Sequence, residues 1–252
     1  MRIPVRGRGL GPASALPRAV LLDLDDTILD DSGGVVACWR EACHAHQSLM
    51  NGLDLEAVFA AIDRLREWYW SDPERHRVGR LELAWARGEV VRLALADLGV
   101  DDDGLARQIG DTYHASRDEA LKPFDDAVAT VEWLRSQGCR LALLTNGGSK
   151  GQRRKIDRFG LAGLFDAILI EGEVGFGKPD PRIYTQALAA LDVPATEACM
   201  VGDNLEWDVA GPQREGIAGI WIDARGRGVP AEQTVRPDRI IARLADLRGA
   251  LD

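Results

Sequence analysis

The chain has 252 residues, of which 46% are hydrophobic and 28% charged, and its formal net charge is −9 at pH 7. This length and hydrophobic content can supply the core of one large domain, or of a core domain that carries an insertion. The negative charge argues against a nucleic-acid partner, because such binding rests on Lys and Arg neutralising phosphates, and no apolar run approaches the ~18–20 residues of a membrane span.

Residues 1–17 are predicted to form a flexible tail. Three arginines, Arg2, Arg6 and Arg8, stand here among Gly and Pro residues. No apolar segment follows that could serve as the core of a secretory signal. The chain also has four cysteines, too few for a disulfide scaffold at this length. We therefore expect a cytoplasmic protein that has no membrane partner.

After the tail, apolar runs of strand length alternate with segments of helical periodicity. The predicted strands are Ala19–Leu24, Arg140–Thr145, Ala167–Glu171, Ala198–Gly202, Ala218–Ile222 and Arg239–Ile241. The predicted helices between them are Ala127–Gln137, Gln152–Phe159 and Pro181–Leu191. Alternation of this kind implies right-handed crossovers, and it predicts an α/β fold with a doubly wound parallel sheet. Functional sites in such sheets form at the carboxyl ends of the strands.

One interval interrupts this alternation, because it contains no clear strand. Its predicted helices are Val35–Met50, Leu55–Trp70, Arg80–Leu98 and Asp103–Ser116, with breaks at Gly52, Pro73 and Gly99. We therefore expect an α/β core domain made of residues 18–30 and 121–252. Residues 31–120 are expected to form an inserted, all-helical cap domain that acts as a lid over the site.

The first predicted strand ends in two carboxylates, Asp23 and Asp25, followed by the hydroxyl of Thr27. Side chains alternate across a strand, so these two carboxylates should leave its end on the same side. One of them could attack an electrophile there while its neighbour moves protons. Burying two unpaired carboxylates together costs several kcal/mol. A metal ion would resolve this conflict, so the rest of the chain should supply a metal site.

Three later patches supply groups of the kinds that such a site needs. Thr145 ends the second predicted strand, and Asn146 and two glycines follow it. The Thr145 hydroxyl and the backbone N–H groups of Asn146 and Gly147 could hold phosphate oxygens. Lys178 lies in a loop bracketed by glycine and proline, where it can neutralise a developing phosphoryl charge. Asp203 and Asp208 follow another apolar strand, and carboxylate oxygens of this kind suit Mg²⁺.

Each patch alone also has an ordinary structural interpretation. The tripeptide that begins at Thr145 is a common turn, the Lys178 segment is an ordinary loop, and Asp203 could start a helix. All four motifs nevertheless occur in one chain, each at a predicted strand end or in the loop after it. Together they supply a nucleophile, an acid–base group, a hydroxyl, a cation and metal ligands.

The chain resembles the haloacid dehalogenase-like (HAD) hydrolase superfamily. The resemblance is carried by Asp23-Leu24-Asp25-Asp26-Thr27, Thr145-Asn146, Lys178-Pro179 and Gly202-Asp203 with Asp208, and it covers nearly everything from residue 18 onward. The helical insertion is similar to the C1-type cap of this superfamily. The segment from Gly172 to Tyr184 is similar to the phosphatase branch related to N-acylneuraminate-9-phosphatases and pyrimidine nucleotidases.

This resemblance implies a phosphomonoester hydrolase that acts on a small phosphorylated metabolite, such as a sugar phosphate or a nucleotide. Asp23 would attack phosphorus and form an aspartyl phosphate. Asp25 would protonate the leaving alcohol, and would then take a proton from the water that hydrolyses the intermediate.

The resemblance also implies Mg²⁺ as the cofactor. Its ligands would be Asp23, the backbone carbonyl of Asp25, and Asp203. Thr145, Asn146 and Lys178 would bind the phosphate. Asp208 would order the surroundings of the metal. The protein would act as a monomer or a homodimer.

Several alternatives stay open, although Asp25 and the composition of the cap narrow them. Haloacid dehalogenases typically lack a carboxylate at the position of Asp25, so phosphoryl chemistry is favoured. A phosphonatase would need a Schiff-base lysine in its cap, and residues 31–120 contain no lysine. A phosphomutase of the β-phosphoglucomutase type shares the acid–base pair and is disfavoured without being excluded. A metabolite-binding protein without activity would have no use for Asp25 beside Asp23.

A basic cluster follows Pro73 in the predicted cap, and it consists of Arg75, His76, Arg77 and Arg80. It could bind a second anionic group on the substrate. Our preferred interpretation is a solvated face, or local pairing with Glu74 and Glu82.

Overall fold

The computed structural model describes residues 16–50 and 52–250. Most of the predicted tail, residues 1–15, lies outside the described residues. The described chain divides into two compact units. One unit is formed by residues 16–30 together with 123–250, and the other by residues between Asp31 and Lys122.

The first unit is built on a sheet of six parallel strands in the order β3-β2-β1-β4-β5-β6. The strands are β1 (Ala19–Leu22), β2 (Arg140–Thr145), β3 (Ala167–Ile170), β4 (Ala198–Gly202), β5 (Ala218–Ile222) and β6 (Arg239–Ile241). The chain winds outward on one side of β1 and then on the other, which confirms the predicted doubly wound sheet. Such a sheet leaves a crevice outside the carboxyl ends of its strands, at the point where the strand order reverses. This point lies at β1 and β4.

Continuous burial explains why the segments of β1 and β4 form central strands. Every residue of β1 and β4 is buried, as expected where helices cover both faces of a parallel sheet. The strands in this position therefore consist of apolar runs without polar alternation. β1 is two residues shorter than predicted, and β3 ends one residue early because Glu171 begins a helix.

The second unit is entirely helical among its described residues, and its helices bury a core of their own. They are α1 (Val35–Ala45), α2 (Leu55–Ser71), α3 (Pro73–Gly79), α4 (Leu83–Asp97) and α5 (Asp103–Ala120). Trp39 and Tyr113 stack in this core with ring centroids 3.5 Å apart. Gly110 allows α5 to approach α4, because a Cβ at this position would lie 2.8 Å from the Cα of Gly88.

The structure corrects three of the predicted helices in this unit, including α5, which runs four residues past its predicted end at Ser116. α1 ends at Ala45 and is followed by a separate 3₁₀ turn, Gln47–Leu49, in place of one helix reaching Met50. The helix predicted to begin at Arg80 begins at Leu83, after the separate helix α3. Asp72 caps α3 by accepting from the N–H of Arg75, and a proline fits its first helical position.

The predicted basic cluster makes local contacts on and beside α3. Arg77 pairs with Glu74 through two hydrogen bonds of 2.9 and 2.6 Å, as the local-pairing interpretation predicts. The guanidinium of Arg75 lies 3.7 Å from the centroid of the Trp68 ring and donates to the Trp68 carbonyl at 2.7 Å. These contacts occupy both arginines within the helical unit.

The α/β unit also contains five short to medium helices and an irregular turn. They are α6 (Ala127–Ser136), α7 (Ser149–Arg158), α8 (Glu171–Val174), α9 (Pro181–Leu191) and α10 (Gly211–Arg214), with a π-helical turn at Leu205–Ala210. A 3₁₀ helix, Leu244–Ala250, follows β6. Within residues 16–50 and 52–250, no helix combines the length and hydropathy that spanning a bilayer requires.

Candidate active site

Asp23 lies immediately after β1, and a tight turn fixes its carboxylate. Its backbone N–H donates to the carbonyl of Val201 at 3.0 Å, which extends the pairing with β4 by one residue. The chain then leaves the sheet, because the Leu24 carbonyl accepts from the N–H groups of residues 28 and 29. This turn carries the Thr27 hydroxyl, which donates to Asp23 Oδ2 at 3.2 Å. The same turn explains why β1 ends before Leu24.

Lys178 joins two of the carboxylates through a single ammonium group. Its Nζ lies 2.7 Å from Asp23 Oδ1 and 2.7 Å from Asp208 Oδ1. Its side chain is only 1% exposed, so the charge is stabilised by these two partners and not by water.

The side chain of Asn146 holds the loop that carries Lys178. Its Nδ2 donates to the Lys178 carbonyl, and its Oδ1 accepts from the Lys178 N–H, both at 2.7 Å. Gly177 allows this close packing, because a Cβ there would lie 2.6 Å from the Asn146 Oδ1 and 2.6 Å from the Cδ of Glu171. Asn146 therefore fixes the main chain of Lys178 from the end of the neighbouring strand, β2.

Two carboxylates, Asp203 and Asp208, follow β4 as predicted. Asn204 caps the π-helical turn Leu205–Ala210 by accepting from two of its backbone N–H groups at 3.0 Å. Asp208 on this turn points back toward the sheet, where its Oδ2 accepts from the Asn204 N–H at 2.9 Å. Gly202 makes room for it, because a Cβ there would lie 2.3 Å from the Asp208 Cγ. Irregular turns of this kind are frequent at functional sites.

Asp25 lies on the same turn as Asp23 but has different partners, which come from α7. The ammonium of Lys155 lies 2.8 Å from Asp25 Oδ1, and the amide of Gln152 donates to Asp25 Oδ2 at 2.8 Å. The same Gln152 nitrogen donates to the Thr145 hydroxyl at 2.5 Å. Asp25 and Thr145, two of the predicted site residues, are therefore joined through one side chain.

Burial and mutual repulsion shift the pKa values of the carboxylates. Desolvation, opposed by Lys178 and reinforced by Asp208, raises the pKa of Asp23 to about 6. Asp203 keeps an exposed edge, yet desolvation on its packed sides and the charges of Asp23 and Asp208 raise its pKa to about 8. Burial disfavours the charge of Lys178, but Asp208 and Asp23 outweigh it and raise the pKa of the amine.

Asp23, Asp203 and Asp208 form what we call the carboxylate cluster, since one oxygen from each lies within 4.8 Å of the others. Lys178 supplies one positive charge to this cluster, so its contacts alone leave two negative charges. Desolvation, reinforced by repulsion within the cluster, also raises the pKa values of Asp23 and Asp203, so the ionised carboxylates lack sufficient compensation. Carboxylate oxygens are preferred ligands of Mg²⁺, and a divalent cation would restore neutrality. The donor set therefore fits this ion.

The structure brings the predicted residues together in two groups. The first group is the carboxylate cluster with Lys178, which contacts two of its members. In the second group, Asp25 shares a side-chain partner with Thr145. The side chain of Asn146 instead bonds the main chain of Lys178, so its predicted contact with phosphate depends on its backbone N–H. The neighbouring N–H of Gly147, which the sequence predicts as a phosphate donor, donates instead to Glu171 Oε2 at 2.9 Å.

Gln152 and Lys155 are site residues that none of the sequence motifs predicted. Both are buried, at 3% and 9% exposure, and they lie on one face of α7 beside buried Ile156. One feature of the sequence could have revealed them. Gln152 and Lys155 are polar, yet they share the buried face of the helix with the apolar Ile156. Two polar side chains on a buried face must have polar partners.

Comparison with known proteins places this site in a family. Residues 17–216 match the haloacid dehalogenase-like hydrolase family. The chain is 34% identical to a phosphoserine phosphatase of Thermus thermophilus over 257 residues, covering 92% of this chain and 96% of that protein. It is also 34% identical to N-acylneuraminate-9-phosphatase of Mus musculus over 252 residues, covering 93% of each.

A solved structure has the same fold along nearly the whole chain. The crystal structure of the HAD-hydrolase YfnB from Bacillus subtilis, bound to magnesium, matches with a TM-score of 0.73 at 23% identity, covering 94% of this chain and 100% of that one. The family match, the two relatives and the fold agree with the residues gathered at the ends of β1 and β4. The chain therefore belongs to the haloacid dehalogenase-like hydrolase family.

Proposed function

We propose that this protein is a Mg²⁺-dependent phosphomonoester hydrolase that acts on a small phosphorylated metabolite through an aspartyl-phosphate intermediate. The observation that carries the proposal is the bridge from Lys178 to Asp23 and Asp208, with Asp203 completing the carboxylate cluster. Relatives named as phosphoserine phosphatase and N-acylneuraminate-9-phosphatase support the same reaction class.

Asp23 is the proposed nucleophile. Its carboxylate is fixed by Thr27 and Lys178, so it is held in place before the substrate arrives. A bond forms between a carboxylate oxygen of Asp23 and phosphorus while the bond from phosphorus to the ester oxygen breaks. Lys178 stabilises the negative charge that spreads over the transferred group.

Asp25 is the proposed acid and base. As a carboxylic acid it gives its proton to the departing alkoxide, which leaves as an alcohol. As a carboxylate it then takes a proton from water, whose oxygen attacks phosphorus and breaks the acyl phosphate. Inorganic phosphate is released, and the carboxylate of Asp23 is restored.

Asp23 and Asp203 are the proposed side-chain ligands of Mg²⁺, with the backbone carbonyl of Asp25 as a third. When bound, this ion neutralises charge and relieves the repulsion between the carboxylates and the phosphate. Asp208 orders the surroundings through Lys178 and the Asn204 N–H. The Thr145 hydroxyl and the N–H of Asn146 are the proposed phosphate ligands, together with Lys178.

Release of phosphate from a panel of substrates tests this proposal. The panel contains p-nitrophenyl phosphate, sugar phosphates, nucleoside monophosphates and small phosphorylated acids, each assayed with Mg²⁺ and with EDTA. We expect hydrolysis of p-nitrophenyl phosphate and of at least one metabolite, and loss of both activities in EDTA. If Mg²⁺ releases no phosphate from any compound, the proposal is wrong and a metabolite-binding role is favoured.

The same panel separates a hydrolase from a phosphomutase. A hydrolase transfers the labelled phosphoryl group to water and yields inorganic phosphate. A phosphomutase would carry the label from the substrate to a second sugar phosphate. We expect all of the label in inorganic phosphate.

A further inference from the structure

Helix α7 turns two buried polar side chains, Gln152 and Lys155, toward the proposed acid–base residue. They are three positions apart, which places them on one face of the helix. Lys155 contacts Asp25 Oδ1 and Gln152 contacts Asp25 Oδ2, each at 2.8 Å. Each oxygen of the carboxylate is therefore held by a different side chain of the same helix.

These two contacts fix the orientation of the Asp25 carboxylate, because a group held at both oxygens cannot rotate about its Cβ–Cγ bond without breaking one of them. Asp25 itself is 28% exposed, whereas Gln152 and Lys155 are buried. The buried face of α7 therefore restrains a side chain that is partly open to solvent.

Gln152 also acts on the phosphate side of the site. Its Nε2 has two hydrogens and three neighbouring acceptors: Asp25 Oδ2 at 2.8 Å, Thr145 Oγ1 at 2.5 Å and the Asn146 carbonyl at 3.1 Å. A hydroxyl that accepts from an amide keeps its single hydrogen to donate elsewhere. The contact therefore makes Thr145 a donor, which is the role that binding a phosphate oxygen requires.

We propose that Gln152 and Lys155 are positioning residues that hold Asp25 where it exchanges a proton with the leaving oxygen, and that Gln152 also orients the Thr145 hydroxyl as a phosphate donor. This inference rests on the proposed phosphatase function. It adds two residues, and one helix, to the groups on which the reaction depends.

The leaving group of the substrate provides the test, because only a poor leaving group needs the proton of Asp25. An alkyl phosphate must release an alkoxide, whereas p-nitrophenyl phosphate releases a phenolate that is stable without a proton. General acid catalysis is worth on the order of 10²–10⁴-fold in rate. Asp25 as the base serves the second step in the same way for both substrates, so the comparison uses kcat/KM, which covers only the steps up to release of the leaving group. A side chain that acts through Asp25 should therefore lower kcat/KM of the two substrate types to different extents.

Steady-state kinetics of Lys155→Met should show this difference. The alkyl substrate is the metabolite that the wild-type protein hydrolyses fastest in the panel above. We expect kcat/KM for this substrate to fall on the order of 100-fold, and kcat/KM for p-nitrophenyl phosphate to fall less than about tenfold. Lys155→Arg keeps the charge and should recover part of the lost kcat/KM. Lys150→Met removes an exposed lysine of the same helix and should leave both substrates unaffected.

Gln152→Leu gives a second test that does not depend on folding of the Lys155 variant. We expect a larger loss of kcat/KM for the alkyl substrate, added to a loss that both substrates share because Thr145 loses its orientation. Thermal melting shows that each variant is folded before its kinetics are compared.

Two different failures can be told apart. If the wild-type protein hydrolyses both substrates but Lys155→Met and Gln152→Leu lower kcat/KM for both by the same factor, or not at all, the positioning role is wrong and the phosphatase function stands. If the wild-type protein releases no phosphate from any compound in the panel, the proposed function fails, and this inference fails with it.

Discussion

The ammonium of Lys178 lies 2.7 Å from Oδ1 of Asp208, and both side chains are 1% exposed. The same ammonium is 2.7 Å from Asp23, whose side chain is 10% exposed. Each charge is tolerated in the interior because the others are present. The bridge therefore links the stability of the fold to the chemistry of the site.

Replacing Lys178 with methionine should destabilise the protein. The substitution leaves the Asp23 and Asp208 carboxylates without their shared cation, and removing one partner of a buried ion pair costs about 3–5 kcal/mol. Urea denaturation in EDTA measures the loss in the free energy of unfolding, with Lys150→Met as the exposed control. Mg²⁺ should restore part of the loss. A decrease below about 1 kcal/mol would show that the bridge is not a buried ion pair of this kind.

Replacing Asp23 with asparagine should abolish turnover. Asparagine keeps the size of the side chain but cannot form the acyl phosphate. It also removes one charge from the carboxylate cluster, so Mg²⁺ and substrate should bind weakly, if at all. Phosphate release and calorimetric titration with Mg²⁺ measure the two effects. Activity that survives this change would refute the assignment of the nucleophile.

The stability of the metal-free protein should fall as the pH rises from about 5 to 8. The pKa of Asp203 is about 8 and that of Asp23 about 6 in the folded protein, against an ordinary value of 3.8. The folded state thus binds more protons than the unfolded state between these values. This contribution to stability is complete below about pH 4, and it is lost as the pH rises through the folded pKa values.

Mg²⁺ should reverse this trend, because it binds the deprotonated carboxylates. Melting temperatures recorded in EDTA and in Mg²⁺ should differ most at pH 8 and least at pH 5. The wild-type protein is compared with Asp203→Asn, so that titrations elsewhere in the chain cancel. An Mg²⁺ response that is the same at both pH values, or unchanged by Asp203→Asn, would contradict the raised pKa of this group.

Replacing Gly202 with alanine should disturb the site from the sheet side. The added Cβ would lie 2.3 Å from the Cγ of Asp208, so this buried carboxylate must move. Overpacking of this kind costs about 1–3 kcal/mol, and a displacement near 1 Å lowers kcat on the order of 100-fold.

Gly151→Ala is the matched control for Gly202→Ala. Nothing lies within 4 Å of the added Cβ, and the glycine is in α7. We expect a gain in stability of up to about 1 kcal/mol from helix propensity. Urea denaturation and kcat measurements on both variants check the pair. If Gly202→Ala keeps full activity, then Asp208 can move without consequence.

The central strands were predictable from the sequence because burial on both sides makes them continuous apolar runs. β2, β4, β5 and β6 have the predicted bounds, as does α9, which begins at a proline after the capping Asp180. The helical unit was harder to predict. Pro73 predicts the end of a helix, yet together with Asp72 it begins the separate helix α3. A proline can mark either the end of one helix or the start of the next.

The candidate site was predictable where each residue follows its own strand. Asp23 and Asp203 needed only the topology of a parallel sheet. Gln152 and Lys155 could not be assigned in this way, because their partner Asp25 is more than 120 residues away along the chain. The role of the Asn146 side chain was hidden for the same reason, since its two hydrogen bonds to Lys178 arise only after β2 and the Lys178 loop pack together.

Borohydride trapping of the phosphoenzyme tests the central claim most directly. The reagent reduces an aspartyl phosphate to homoserine, which mass spectrometry locates in the sequence. We expect homoserine at position 23, formed only when both Mg²⁺ and a hydrolysable phosphomonoester are present. Mg²⁺-dependent turnover with homoserine at another position, or with none formed at any position, would contradict the mechanism.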